Sequence, residues 1–98
     1  MERVEEYLET ILDIQKEGKV AKTKEIADRL NIKPSSVTEM LNKLSEMGYV
    51  DYQPYKGATL TKKGYMVAER IKRNYLILSK FFKEFLEIED EKKAHELS

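Results

Sequence analysis

The spacing of apolar residues changes at Tyr49 in this 98-residue chain, and that change limits the folds available to it. Before Tyr49 the apolar residues recur every three or four positions, which is the period of a helix with one buried face. From Tyr49 to Leu60 they alternate and are interrupted by Pro54–Gly57, as in two short strands joined by a turn. The helical period returns after Thr61. The chain therefore predicts a mainly α fold with a small β-hairpin.

Caps and helix breakers set the boundaries of the predicted elements. The predicted helices span residues 3–15, 24–30, 34–47 and 62–86. Gly18 and Gly48 follow the first and third helices, where glycine suits the left-handed residue that ends a helix. Thr23 and Thr61 are the predicted N-caps of the second and fourth helices, and Pro34 suits the first turn of the third. Two helices joined by a short turn, then a hairpin and a long helix, form a winged helix-turn-helix.

The formal net charge of zero hides segments of opposite sign. Residues 1–14 carry one basic and five acidic residues, for a net charge of −4. The next segment, 15–52, is nearly neutral at +1, whereas residues 53–83, the basic block, carry +7 and residues 84–98 carry −4. Such asymmetry indicates an anionic partner met by one face, with chance clustering on a solvated surface as the other reading. We expect DNA backbone contacts in the basic block.

The composition excludes several classes of protein. The chain has no cysteine, which rules out a disulfide scaffold, a thiol nucleophile and a thiolate zinc site. His95 is the one histidine, and no catalytic triad or glycine-rich phosphate loop is present, so we expect no enzyme activity. The acidic N-terminus is unlike a signal peptide and no stretch approaches 18 apolar residues. These features predict a soluble, cytoplasmic protein with no membrane partner.

The predicted third helix has one apolar face and one face of short polar side chains. Its apolar stripe consists of Val37, Met40, Leu41, Leu44 and Met47. The opposite face carries Ser35, Ser36, Thr38, Glu39, Asn42 and Lys43. Hydroxyls and the free amides of a helix start suit phosphate oxygens and base edges in a DNA major groove. The hairpin would then bring Tyr52, Tyr55 and Lys56 to the neighbouring backbone.

The run EIADRLNIKPSSVTEMLNKLSEMGYVDYQPYKGATLTKKG resembles the DNA-binding domain of the diphtheria toxin repressor family. This family of iron- and manganese-dependent regulators includes the manganese transport repressor. The resemblance begins at VEEYLETIL and continues more loosely through HELS, and its most specific parts are PSSVTEML and the following YxPYxGxxLTxxG. It implies a homodimer that represses transcription when a divalent metal is bound. Each protomer would place its third helix in the major groove of a palindromic operator.

The resemblance also implies which residues contact DNA. The implied contacts to base edges and phosphates are Lys33, Ser35, Ser36, Thr38, Glu39 and Lys43, with Tyr55 and Lys56 of the hairpin turn on the backbone. Glu39 can accept a hydrogen bond from a cytosine amino group, but phosphate repels it, and solvation is the other reading. For Ser36 and Thr38 we favour phosphate contact over capping or solvent exposure.

The resemblance implies only part of a metal site. Glu6 and Glu9 match two ligand positions in the first helix, and their spacing puts both carboxylates on one face, as manganese or iron requires. An acidic first turn favoured by the helix dipole explains the same pair equally well. Tyr75 stands where the family has a histidine, Ser79 stands at an acidic position, and Ser98 stands at a cysteine or acidic position. Manganese or iron is thus an implied cofactor whose site this chain does not complete.

We divide the chain into a winged helix-turn-helix DNA-binding domain, residues 1–74, and residues 75–98, which continue the long helix into the start of a dimerisation domain. The end inside a predicted helix favours truncation, although a divergent member without metal control also fits. His95 and Glu91 lie four residues apart, which fits a solvated tail better than a metal site. Phe81, Phe82 and Phe85 could bury against a partner copy, but packing on the first helix is the simpler reading.

Three functions follow from these features. The first is a sequence-specific, double-stranded DNA-binding repressor that depends on manganese or iron and acts as a homodimer on a palindromic operator. The second is a winged-helix DNA-binding regulator that needs no metal. The third is a winged helix used as a protein-interaction module, which would require an apolar exposed face on the third helix.

Overall fold

The computed structural model describes residues 3–97, with side chains from residue 3 to residue 92. The elements in chain order are α1 Arg3–Lys16, α2 Thr23–Leu30, α3 Pro34–Glu46, β1 Val50–Gln53, β2 Gly57–Leu60 and α4 Lys62–Leu97. This confirms the mainly α fold with one hairpin and the winged helix-turn-helix order. The last helix continues beyond the predicted end at Leu86, while the side chain of His95 and the whole of Ser98 lie outside the described residues.

The core forms around α1. Leu8, Ile11 and Leu12 are completely buried, at the three- and four-residue spacing that the sequence shows. They belong to one cluster with buried residues from every other element, namely Ile26, Ala27, Val37, Leu41, Leu44, Val50, Ala58 and Ala68. Within this cluster α3 packs mainly against α2 and β1, whereas β2, α2 and α4 pack directly on α1.

A short turn fixes α3 relative to α2. Asn31 ends α2 in the left-handed conformation with φ 55° and ψ 51°, which asparagine tolerates well. The backbone N–H of Ile32 then donates to the carbonyl oxygen of Ala27 at 3.0 Å. At the other end of α2 the predicted cap is wrong, because Lys22 is the N-cap residue and Thr23 is the first residue of the helix.

Ion pairs join the end of α1 to α2. The Arg29 guanidinium lies 2.8 Å from a Glu17 carboxylate oxygen and 2.9 Å from one of Glu25. Hydrogen bonds from Arg29 hold the pKa of both carboxyl groups below its ordinary value. All three side chains are partly exposed to solvent, so these pairs orient α2 more than they stabilise the fold.

The two strands of the hairpin pair with each other, and β2 also bonds to α1 and to the segment that follows it. The register of the antiparallel pair is Val50↔Leu60, Asp51↔Thr59, Tyr52↔Ala58 and Gln53↔Gly57. The Ala58 N–H donates to the Ala21 carbonyl oxygen at 2.7 Å, and the Leu60 N–H donates to Gln15 Oε1 at 2.6 Å. Gly57 has a φ of +112°, and a Cβ there would lie 2.6 Å from the Ala21 oxygen. The close approach of these backbones therefore requires glycine.

Thr61 joins the end of α3 to the start of α4. Its hydroxyl accepts from the Gly64 N–H at 3.1 Å, as the predicted N-cap requires, and donates to the Gly48 carbonyl oxygen at 2.6 Å. Lys63 adds a second connection, because its Nζ donates to the Met47 carbonyl oxygen at 3.1 Å and lies 4.7 Å from the centroid of the Tyr49 ring. These bonds set the direction in which α4 leaves the core.

Thr61→Ala should lower the free energy of unfolding by about 1–2 kcal/mol, because it removes the N-cap and the bond to Gly48 together. Thr61→Ser keeps the hydroxyl and is the matched control, with an expected change of less than about 0.5 kcal/mol. Urea denaturation followed by circular dichroism measures both variants. Equal losses in the alanine and serine variants would show that the hydroxyl makes no contribution.

Only the first part of α4 packs against the core. Lys72 Nζ lies 2.6 Å from an Asp13 carboxylate oxygen, and Lys16 Nζ lies 3.4 Å from a Glu69 carboxylate oxygen, so α1 and α4 are paired along these residues. Because α4 has 36 residues and α1 has 14, the rest of α4 extends beyond the core and contributes to a longest dimension of 63 Å. The helix is continuous across residues 74 and 75, and the domain boundary there stays a prediction.

The aromatic residues of the projecting part are exposed. Phe81, Phe82 and Phe85 are 61%, 54% and 51% exposed, so the reading that they pack on the first helix is wrong. The reason is geometric, since α1 is too short to reach them. Among the described residues, no helix combines the length and the apolar character needed to cross a membrane.

Candidate nucleic-acid interface

The predicted contact residues of α3 lie on its outward face. Val37, Leu41 and Leu44 are completely buried against the core. The predicted contact residues Lys33, Ser35, Ser36, Glu39 and Lys43 are exposed, while Thr38 is half-buried. The helical period therefore separates a packing face from a polar face with hydroxyl, amide and ammonium donors near the N-terminus of α3.

A cleft joins this face to the hairpin. It is open to solvent, has a volume of about 500 Å³, and is lined by Lys22, Thr23, Lys24, Thr38, Asn42, Tyr52, Pro54, Tyr55 and Gly57. Three elements meet here, namely the start of α2, the outward face of α3 and the hairpin. The structure thus brings Thr38 and Tyr55 to one concave surface, as expected for a helix and a wing that act together.

Tyr55 and Lys56 form the tip of the hairpin. Tyr55 has a φ of +69° and is fully exposed. The Lys56 N–H donates to the Gln53 carbonyl oxygen at 3.1 Å, which closes the turn. Both side chains therefore extend from a turn whose backbone is hydrogen-bonded, in a position suited to contact with a phosphate backbone beside the groove.

Lys22 and Lys24 are residues that the sequence reasoning missed. Both are exposed and line the cleft beside Thr23, at the positive end of the α2 dipole. An anion would meet two ammonium groups and the first amides of α2 at this place. The sequence signal for this basic site was the Lys-Thr-Lys run at the start of a predicted helix. Counting charge by segment did not reveal the run, because residues 15–52 are nearly neutral overall.

The basic block does not form a single surface. Lys63 donates a hydrogen bond to the Met47 carbonyl oxygen and Lys72 forms an ion pair with Asp13, so both side chains make contacts within the domain. Lys80 and Lys83 lie on the projecting part of α4, whereas Lys56 stands at the hairpin tip. These contacts set Lys63 and Lys72 apart from Lys56, and the expectation that the basic block contacts DNA stays a prediction.

The hydroxyl of Thr38 already has a partner. It donates to the Pro34 carbonyl oxygen at 3.2 Å, four residues earlier in α3. A phosphate oxygen can only accept, so Thr38 must give up this bond before it can donate to phosphate. Ser35 and Ser36 remain the better donors on the face, and the assignment of all eight DNA contacts stays a prediction.

Glu6 and Glu9, which the resemblance implies as metal ligands, do not form a manganese or iron site by themselves. Glu6 is bound to Arg3, whose Nη1 lies 3.2 Å from Glu6 Oε2, and its side chain is 55% exposed. Glu9 lies on the side of α1 that faces α4, one turn before Asp13, while Tyr75 is 68% exposed. Across residues 3–92 no group of three or more His, Cys, Asp or Glu side chains is placed to hold a metal ion. Two carboxylates are too few for the oxygen-rich or imidazole-containing coordination that these metals take.

Comparison with known proteins gives the family. Residues 1–58 match the family described as the iron dependent repressor, N-terminal DNA binding domain. An uncharacterized HTH-type transcriptional regulator of Methanocaldococcus jannaschii is 48% identical over 95% of this chain and 74% of its own length. The HTH-type transcriptional regulator MntR of Oceanobacillus iheyensis is 36% identical over 90% of this chain and 59% of its own length. MntR of Shouchella clausii is 38% identical over 82% of this chain and 56% of its own length.

Solved structures share the fold. A hypothetical protein from Sulfolobus solfataricus superposes with a TM-score of 0.63 and 36% identity, over 68% of this chain and 51% of that one. A MarR family protein from Mycobacterium tuberculosis has a TM-score of 0.55 at 24% identity, over 82% of this chain and 70% of that one, which shows likeness of fold alone. The chain spans somewhat more than half the length of the two MntR relatives. With residues 1–58 matched to its DNA-binding domain, the chain belongs to the iron-dependent repressor family and is a DNA-binding transcriptional regulator of the helix-turn-helix type.

Proposed function

We propose that this chain is a sequence-specific repressor that binds double-stranded DNA as a homodimer on a palindromic operator. The cleft between α3 and the hairpin is the observation that carries the proposal, since it aligns a polar helix face with a wing. The MntR name of two relatives supports repression linked to a metal. A regulator of this kind works on chromosomal DNA, so we also propose a cytoplasmic location.

In the proposed complex the first turns of α3 enter the major groove. Ser35 and Ser36 would donate from the start of the helix, where the free amides also favour phosphate. Glu39 lies one turn further along the same face and would accept from a cytosine amino group. Lys33 and Lys43 would bind the phosphates that flank the groove.

The wing and the start of α2 would hold the backbone on either side. Tyr55 and Lys56 would contact phosphates beside the groove from the hairpin tip. Lys22 and Lys24 would contact the backbone at the opposite edge of the cleft. Such contacts supply affinity for any sequence, whereas the contacts from α3 supply the choice among sequences.

Metal dependence is the finer part of the proposal. The family implies manganese or iron as cofactor, and such control would require ligands in addition to Glu6 and Glu9. A second candidate is a regulator that binds DNA without metal, which is favoured by the Arg3–Glu6 ion pair and by Tyr75 at the histidine position. The protein-interaction alternative finds less support, because the exposed face of α3 is polar.

Titration of the chain's own upstream DNA, with and without manganese or ferrous iron, tests both candidates. Fluorescence anisotropy at several salt concentrations should give affinity that falls steeply as salt rises, because bound phosphates release counterions. Metal-stimulated binding would favour the family mechanism, and equal binding would favour the metal-independent candidate. Absence of binding to any of these duplexes would contradict the DNA-binding proposal.

Lys56→Ala should weaken binding to all duplexes by about the same factor and reduce the salt slope by about one. The cause is the loss of one phosphate contact at the hairpin tip. Lys80→Ala removes the same charge from the projecting part of α4 and is the matched control, with affinity and salt slope expected to stay unchanged. The prediction fails if both variants lose affinity equally, which would indicate a general effect of net charge.

A further inference from the structure

A groove lies between the start of α1, the end of α3 and the first part of α4. This α1–α4 groove has a volume of about 460 Å³ and is lined by Val4, Glu5, Leu8, Met47, Tyr49, Val67, Arg70, Ile71 and Asn74. It shares no residue with the cleft at the hairpin, and neither Glu6 nor Glu9 lines it. Its volume is within the range of small-molecule sites, about 300–1,000 Å³. Neither the proposed DNA contacts nor the implied metal ligands account for this groove.

The walls of the α1–α4 groove are mostly apolar, and the wall at the end of α3 is held in place. The Tyr49 carbonyl oxygen accepts from the Thr61 N–H at 3.0 Å, and Lys63 Nζ lies 4.7 Å from the centroid of the Tyr49 ring. The same Nζ donates to the Met47 carbonyl oxygen at 3.1 Å. Because these contacts fix the wall, the groove is formed before a ligand enters, as in most small-molecule sites.

Two opposite charges and one amide stand among the apolar side chains of the groove. Glu5 belongs to α1, whereas Arg70 and Asn74 lie one turn apart on α4. Both charged side chains are exposed, and within residues 3–92 no ion pair involves either of them. A ligand in the groove therefore meets an apolar surface, a carboxylate and a guanidinium together.

This combination of groups discriminates among classes of ligand. A carboxylate suits the guanidinium of Arg70, and the Asn74 amide offers a further donor. An ammonium group suits the carboxylate of Glu5. An anion without an ammonium group would face the like charge of Glu5, and a cation without a carboxylate would face that of Arg70, so each loses affinity. A zwitterion with an apolar side chain avoids both penalties.

We propose that the α1–α4 groove binds an α-amino acid with an apolar side chain. Arg70 and Asn74 donate to its carboxylate, Glu5 accepts from its ammonium group, and its side chain packs on Leu8 and Ile71. This site is independent of the proposed function, because amino-acid binding is measured on the chain without DNA.

Titration of the unaltered chain with leucine, followed by NMR of the methyl groups, tests for the site. Leucine should shift the methyl signals of Leu8, Val67 and Ile71 in a saturable way, with a dissociation constant below about 1 mM. Methionine and phenylalanine should act alike, whereas serine should bind at least about tenfold more weakly because it buries little apolar surface. Absence of a saturable shift with all three apolar amino acids at about 10 mM would overturn the proposal.

Two analogues of leucine test the recognition of its charges. Isocaproate has the same carbon skeleton without the ammonium group, and isoamylamine is leucine without its carboxylate. Each should bind at least about tenfold more weakly than leucine, because each loses a charge-assisted hydrogen bond. An analogue that binds as tightly as leucine would contradict the proposal, since the group it lacks would then have no partner in the groove.

Substitutions in the groove assign each charge to its residue. Arg70→Gln should raise the dissociation constant of leucine at least about tenfold and abolish the preference for leucine over isoamylamine. Arg73→Gln removes the same charge about one turn further along α4, outside the groove, and is the matched control with leucine binding unchanged. Glu5→Gln should abolish the preference for leucine over isocaproate.

All three substituted positions are exposed, so the circular dichroism spectra should match that of the unaltered chain. Equal losses of leucine binding in Arg70→Gln and Arg73→Gln would overturn the proposal, because they would indicate an effect of net charge alone. If leucine binds as described but no duplex is bound, the proposed function is wrong and the groove assignment stands. If DNA binds and leucine does not, the groove assignment is wrong and the proposed function stands.

Discussion

Gly64→Ala should lower the free energy of unfolding by about 3 kcal/mol, although the residue lies in the first turn of a helix. A Cβ at this position would collide with the carbonyl oxygen of Tyr49. That oxygen is held in place, because it accepts a hydrogen bond from the Thr61 N–H at 3.0 Å. The collision is with backbone, so a rotamer change cannot relieve it, and the start of α4 must move away from β1.

The sign of this effect distinguishes it from helix propensity. Within a helix, replacing glycine by alanine ordinarily stabilises by about 1 kcal/mol, which is opposite to the expected result. Urea denaturation measures the change, with Ser79→Ala on the exposed part of α4 as the control, expected within about 0.5 kcal/mol of the unaltered chain. A Gly64→Ala variant as stable as the unaltered chain would mean that the backbone at Tyr49 yields without cost.

Gly57 in the hairpin and Gly64 in α4 show where sequence reasoning stops. Gly57 is identifiable from the sequence as a turn residue, since it ends the Pro54–Gly57 interruption, whereas no local pattern marks Gly64. Their need for glycine comes from contacts with Ala21 and Tyr49, which are distant in the chain. A pattern of local spacing contains no information about such approaches, since they arise only when the hairpin packs against α1 and the end of α3.

The helices were predictable because each has a clear apolar period and a terminating residue. Gly18 and Gly48 have a φ of +82°, as their predicted positions at helix ends require. Met47 was predicted to be buried but is 38% exposed, because α3 ends at Glu46 and the chain turns there. The burial of the α4 phenylalanines was mispredicted for another reason, since periodicity identifies an apolar face without identifying what covers it.

The candidate interface was predictable in part. The outward face of α3 follows from its period alone, and the hairpin tip follows from the turn residues. Lys22 and Lys24 could not be assigned in the same way, because the cleft combines three elements that are separate in the chain. Charge counted along the chain could not show how the basic block is arranged, because such a count ignores pairs such as Lys72 with Asp13.

Ser35→Glu should weaken binding to operator DNA by about 100-fold while the fold stays at least as stable as that of the unaltered chain. Ser35 is exposed in the first turn of α3, where a carboxylate interacts favourably with the helix dipole by about 0.3–1 kcal/mol. In a DNA complex the same carboxylate would face phosphates, and like charges at an interface cost several kcal/mol. Folding and binding are therefore expected to change in opposite directions.

Ser45→Glu is the matched control for this prediction. It adds the same charge to the same helix, at an exposed position in the last turn of α3. There the carboxylate meets the negative end of the dipole, so it should cost about 0.3–1 kcal/mol of stability and change DNA affinity by less than about threefold. Thermal unfolding and fluorescence anisotropy of both variants complete the test. Equal losses of affinity would place the interface elsewhere, because a contact made by the start of α3 must be more sensitive to a charge at Ser35 than to one at Ser45.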